Sequence, residues 1–123
     1  MIVAGFGFRA AATADSLRDA LARAGKDADA LATAADKAEA PAFRALADAL
    51  SLPVTAVPPE ALAAQETATH SEASLAAHGT GSVAEAAALA AAGPGARLLA
   101  PRAISGDRMA TCALATTRTE ATP

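Results

Sequence analysis

The 123 residues carry 13 acidic and 10 basic side chains, a formal charge of -3 and a pI near 5.2. That balance, with three Phe and no Tyr or Trp, lacks the clustered cations and stacking rings by which proteins grip nucleic acid. A lone cysteine, Cys112, excludes an internal disulfide and any multi-cysteine metal site, and no apolar run approaches the roughly 20 residues of a membrane span.

Residues 2–6 form a short apolar run that reads as a buried strand breaking into a turn at Gly5-Phe6-Gly7. The start has neither the basic flank nor the apolar length of a secretory signal, so it is read as part of the fold and the expected address is cytoplasmic. From Ala14 to Ala24 the apolar spacing becomes three and four, with Leu17 and Leu21 on one face and Gly25 as the stop, which predicts an amphipathic helix. Residues 30–34 are read as a strand because they sit between helices at βαβ spacing. Pro41 then opens a helix with Phe43, Leu46, Ala47 and Leu50 on one face.

Residues 53–57 predict a third strand, and residues 60–65 a short helix after Pro58-Pro59. A polar link follows to Ser71, then a short helix over residues 72–78. Next comes Gly79-Thr80-Gly81-Ser82, three residues ahead of Glu85. The Ser-x-x-Glu spacing predicts a reciprocal capping box and a helix from Val83 to about Ala92, ended by Gly93-Pro94-Gly95. Residues 98–102 and 109–116 read as two antiparallel strands joined through a turn at Ser105-Gly106-Asp107.

The order predicts an α/β three-layer sandwich: a small, mostly parallel sheet of about five strands, an antiparallel last strand at one edge, and helices on both faces. One domain over residues 1–117 is expected, with 118–123 as a flexible tail. A core so rich in alanine must bring helix and sheet close together, because each alanine buries little area.

In such sheets ligands bind beyond the carboxyl ends of the strands. The expected ligand-binding residues are Gly5, Gly7 and Arg9 after the first strand, Asp36 and Lys37 after the second, and Gly79, Thr80, Gly81 and Ser82 at a helix amino end. Arg9 offers a bidentate fork to a carboxylate and Lys37 a point charge. Gly5, Gly7 and Ala10 also satisfy a Gly-x-Gly-x-x-Ala pattern, the basis of a minor nucleotide-binding alternative, although Phe8 and Arg9 crowd that turn. Cys112, aligned with Ala110 and Leu114, reads as a buried, unreactive thiol. His70 and His78 stand eight apart with no further ligand at metal spacing, and no metal or cofactor is expected.

Taken together, Gly5-Phe6-Gly7-Phe8-Arg9, Lys37, Ser71-Glu72-Ala73, the block from Gly79 to Leu89 and the run from Met109 to Ala115 resemble the cobalamin biosynthesis family of CobE and the C-terminal domain of CbiG. The resemblance covers nearly the whole chain, and the Gly-Thr-x-Ser-Val-Ala-Glu-Ala-Ala block is its most specific part. Family members often carry a cysteine where this chain has Phe8, so no thiol role transfers to that position.

The resemblance implies a part in building the corrin ring. In the family, fused CbiG proteins open a ring-A lactone of a cobalt-precorrin, whereas stand-alone CobE proteins belong to the oxygen-dependent route. It implies here a carrier or accessory factor that binds a polycarboxylate precorrin or corrinoid. The alternative is a hydrolase acting on the ring-A lactone, with Glu85, His78 or Asp36 as base. A third reading is a subunit docking on other cobalamin-pathway enzymes. Oligomeric state is not encoded in any motif of the chain.

Overall fold

The computed structural model describes residues 1–25, 27–69, 75 and 80–117. Strand β1 (Ile2–Phe8) leads into helix α1 (Ala14–Ala24), strand β2 (Ala30–Ala34), a 3-10 turn over Ala35–Lys37, and helix α2 (Pro41–Leu50). Strand β3 (Val54–Val57) and helices α3 (Pro59–Ala63) and α4 (Val83–Ala92) follow. Strands β4 (Arg97–Leu98), β5 (Ala103–Ile104) and β6 (Ala110–Thr116) complete the described chain. The helix expected over 72–78, His70, His78, Gly79, the Ser71-Glu72-Ala73 run and the 118–123 tail lie outside the described residues, apart from Leu75.

The six strands form one mixed sheet in the order β3-β2-β1-β6-β4, with β5 also paired to β6. β1, β2 and β3 are parallel neighbours, while β6 runs antiparallel to β1 over seven residue pairs, from Ile2 opposite Thr116 to Phe8 opposite Ala110. Two expectations need correction. The antiparallel strand is not at an edge, because β6 lies between β1 and the short β4 and β5. Residues 99–102 are also not a strand: the polypeptide pairs with β6 at 97–98, keeps one further bond from the Leu99 N–H to the Leu114 carbonyl at 2.9 Å, then leaves and returns at 103–104. Pro101 lacks a donor for a ladder there, and Arg102 spends its N–H elsewhere. The Ser105-Gly106-Asp107 turn forms as expected, closed by the Arg108 N–H donating to the Ser105 carbonyl at 2.9 Å.

Period-two alternation divides the core. Ala4, Phe6, Leu31, Ala110, Cys112 and Leu114 face α1 and α2, meeting Leu17, Ala20, Phe43 and Leu46. Val3, Ala30, Ala32, Ala34 and Val57 face the other way, against α3 and α4. Cys112 is fully buried and its thiol is pushed well above the ordinary range by desolvation, so it fills space rather than reacts.

α1 begins with a capping box formed by serine rather than glutamate: Thr13 Oγ1 accepts from Ser16 N, and the Thr13 N–H donates to Ser16 Oγ. Ser16 Oγ also donates to Asp107 Oδ2 at 2.5 Å, and Ser105 Oγ donates to Asp107 Oδ1 at 2.5 Å. Asp107 thereby ties the β5–β6 turn to α1. Those hydroxyl donors, Ser105 first and then Ser16, hold its carboxyl below the ordinary carboxylate value. Such a lowered group stabilises the fold above its unfolded pKa and loses that contribution as pH falls through the folded value. Asp107→Asn is therefore expected to lower Tm at neutral pH, and the gap to the parent should narrow between about pH 5 and pH 2 in a series of thermal melts.

Candidate functional site

The first strand holds the glycines whose spacing suggests a turn. β1 continues through both to Phe8, so Gly5 and Gly7 are strand residues facing α4. A Cβ on Gly5 would stand 2.1 Å from the Ala84 carbonyl oxygen and 2.5 Å from the Ala88 nitrogen. Gly5 thus lets the α4 backbone lie directly on the sheet, and it is buried rather than open to a ligand. A Cβ on Gly7 would meet Val83 Cβ at 3.4 Å and Thr111 Oγ1 at 3.0 Å. This corrects the Gly-x-Gly-x-x-Ala reading: without a glycine turn at the strand end, the pattern is no phosphate-binding loop and the nucleotide alternative loses its support.

The close approach of Gly7 to Val83 and Ala84 brings the amino end of α4 to the carboxyl end of β1. Arg9 lies there, exposed, with its N–H donating to the Met109 carbonyl at 2.9 Å. Lys37, in the turn after β2, places its Nζ 5.3 Å from the centroid of the Phe8 ring. That ring stacks on Phe43 at 6.0 Å and 11°, and Phe43 meets Phe6 edge-on at 5.9 Å. The side chains of Phe6 and Phe8 fall on the α1–α2 side of the sheet, so Lys37 approaches the strand end from that side and α4 from the other. Asp36 is exposed beside Lys37 and has a bonding or electrostatic partner of its own.

At the α4 amino end Thr80, Gly81 and Ser82 are all buried. Ser82 Oγ accepts from Glu85 N at 3.2 Å, which is half of the expected capping box. The other half is replaced. The fully buried Glu85 carboxylate accepts from Thr69 N at 2.9 Å through Oε1 and from Arg102 N at 2.8 Å through Oε2. The expectation of Glu85 as a base needs correction: with each oxygen holding a backbone amide, and no exposure, it has a structural task. Thr80 is 4% exposed, and its Oγ1 has no hydrogen-bond partner among the described residues.

Of the expected ligand residues, then, Gly7, Arg9, Asp36, Lys37, Thr80, Gly81 and Ser82 lie towards one end of the sheet, Gly5 lies beneath α4, and Gly79 and His78 are outside the described residues. The guanidinium groups of Arg9, Arg102 and Arg108 make no ion pair with a carboxylate among the described residues. Two open depressions of the described surface lie away from these residues. One is beside the start of β1, lined by Arg18, Leu21 and Asp27, and one lies between residues 65–68 and β4.

Comparisons with known proteins agree with the family resemblance. The family model described as "Cobalamin synthesis G C-terminus" matches residues 2–115. Among solved structures, CobE, a protein from the cobalamin (vitamin B12) biosynthetic pathway, is 37% identical with a TM-score of 0.88, over 98% of this chain and 92% of that one. The cobalamin biosynthesis protein chiG of Agrobacterium tumefaciens str. C58 is 40% identical with a TM-score of 0.74, over 97% of this chain and all of that one. A structure from Sulfolobus solfataricus shares the fold at 18% identity and a TM-score of 0.70, over 95% of this chain and 37% of that longer one. No curated protein sequence matches. With residues 2–115 matched by the family model and 98% of the chain covered by CobE at 37% identity, the chain belongs to the family of the cobalamin synthesis G C-terminal domain and CobE.

Proposed function

We propose that this protein binds a polycarboxylate precorrin or corrinoid intermediate and serves cobalamin biosynthesis as a carrier or accessory factor. The observation that carries this reading is the gathering of Arg9, Lys37 and the α4 amino end at the carboxyl end of β1. A macrocycle edged with carboxylates needs several cations spaced across an open surface rather than one deep anion hole. The half-buried Phe8 ring on Phe43 adds a flat apolar support beneath the Lys37 ammonium. The Thr80 hydroxyl, without a partner among the described residues, offers a donor beside the positive end of α4. Of the three bases named for a hydrolase, Glu85 is occupied by two backbone amides, which removes one of them.

Titration with hydrogenobyrinic acid, followed in the ligand's visible spectrum, tests the reading. A saturable change is expected, with Arg9→Ala and Lys37→Ala each weakening binding by about fivefold to tenfold at low salt and less at high salt. Absence of a saturable change, or unaltered binding by both variants, refutes it. Incubating a precorrin with the protein and weighing the product by mass spectrometry separates binding from lactone opening, because only the latter changes the mass.

A further inference from the structure

Glu85 is the only fully buried charged side chain among the described residues, and its surroundings explain more than helix capping. A carboxylate without solvent is costly unless its oxygens are satisfied. Those of Glu85 take amides from Thr69, ahead of the helix, and from Arg102, after it. One side chain in the first turn of α4 therefore pins two separate loops against the same helix end.

Arg102 is fixed from both directions. Its N–H is held by Glu85 at 2.8 Å, and the next two residues enter β5, where Ala103 and Ile104 pair with Cys112 and Thr111. Thr111 in turn donates its hydroxyl to the Gly7 carbonyl at 3.2 Å. The Arg102 side chain is half-buried, and its guanidinium has no carboxylate partner among the described residues. A cation on a backbone held this firmly loses little further freedom on binding an anion. The Glu85 charge also offsets part of the positive potential of the α4 amino end, so an anionic ligand there requires a nearby compensating cation.

We infer that Arg102 is a further carboxylate-binding residue of this site and that Glu85 is the positioning residue that holds it there. The inference rests on the polycarboxylate-binding reading above. The parent protein, Arg102→Ala, Arg102→Lys, Glu85→Gln and the Arg102→Ala/Glu85→Gln pair are titrated with hydrogenobyrinic acid and with a counterpart whose carboxylates are amidated. Arg102→Ala should raise Kd for the acid about tenfold and change little for the amide, with Arg102→Lys recovering part of the loss. Glu85→Gln leaves one oxygen for two amides and should also raise Kd, but should add nothing once Arg102 is alanine.

If the parent binds the acid and Arg102→Ala binds it equally well, the inference is overturned while the binding reading stands. If the parent does not bind, both are overturned. Equal, independent losses from the two substitutions overturn the positioning role of Glu85. Should Glu85→Gln fail to fold, amide exchange on the parent decides that role: slow exchange at Thr69 and Arg102 supports the clamp, and exchange at unprotected rates overturns it.

Discussion

Gly5→Ala is expected to destabilise the protein by about 3–5 kcal/mol, near the top of the range for a single substitution. The added methyl would stand 2.1 Å from the Ala84 carbonyl oxygen, 2.5 Å from the Ala88 nitrogen and 2.9 Å from the Ala88 Cβ. Two of those three atoms are helix backbone, so no rotamer change relieves the overlap. α4 would have to lift from β1, and with it the contacts of Val83, Ala86 and Ala87 against Val3, Ala30 and Ala32. Urea unfolding of parent and variant checks this through a large fall in midpoint. Gly7→Ala is the internal comparison. Its tightest neighbour is the Thr111 hydroxyl at 3.0 Å, a side-chain atom able to yield, so a loss of about 1 kcal/mol is expected.

Glu85→Ala should cost about 2–4 kcal/mol, because two backbone N–H groups, those of Thr69 and Arg102, lose their acceptor together. The magnitude separates two roles. A capping contribution from the third residue of a helix is worth about 1 kcal/mol or less, and the Ser82 side chain would still supply its half of the cap. A loss near 1 kcal/mol in urea would mean that the two loops find water as readily as they find Glu85. A larger loss, with faster amide exchange at residues 69 and 102, identifies a buried staple.

Much of the architecture could be read directly. α1 from Ala14 to Ala24 with Gly25 in the left-handed conformation, β2 over Ala30–Ala34, and α2 from Pro41 are where periodicity, glycine and proline placed them. Local signals carry these elements, because helix periodicity and caps are written within a few residues of each other. The glycines of β1 were harder. Gly5 and Gly7 resemble a turn in isolation, and only the helix eighty residues later explains why a strand would accept glycine twice.

The split of the 97–104 region into two short strands, and the insertion of β6 beside β1, depend on long-range pairing for which no local pattern exists. Glu85 shows the same limit at the site. The Ser-x-x-Glu spacing located the helix start correctly, but the partners of the carboxylate are a consequence of which loops reach it. The positions of Arg9 and Lys37 were legible because they follow strands closely, and the turn around Arg102 or Arg108 was legible as a stretch near the last strand pair, but the bond from the Arg102 amide to Glu85 has no local signature in the sequence.

The pairing of the first strand with the last has a temporal consequence. While a ribosome has released only the first hundred residues, β1 lacks its antiparallel neighbour along its full length, since all seven of those pairs come from residues 110–116. Nascent α1, β2 and α2 can gather early around Phe43, but the central seam of the sheet closes only after β6 emerges. Contacts spanning more than a hundred positions slow that closure, so a chain stalled before residue 110 would display an unzipped, aggregation-prone strand to the quality-control machinery.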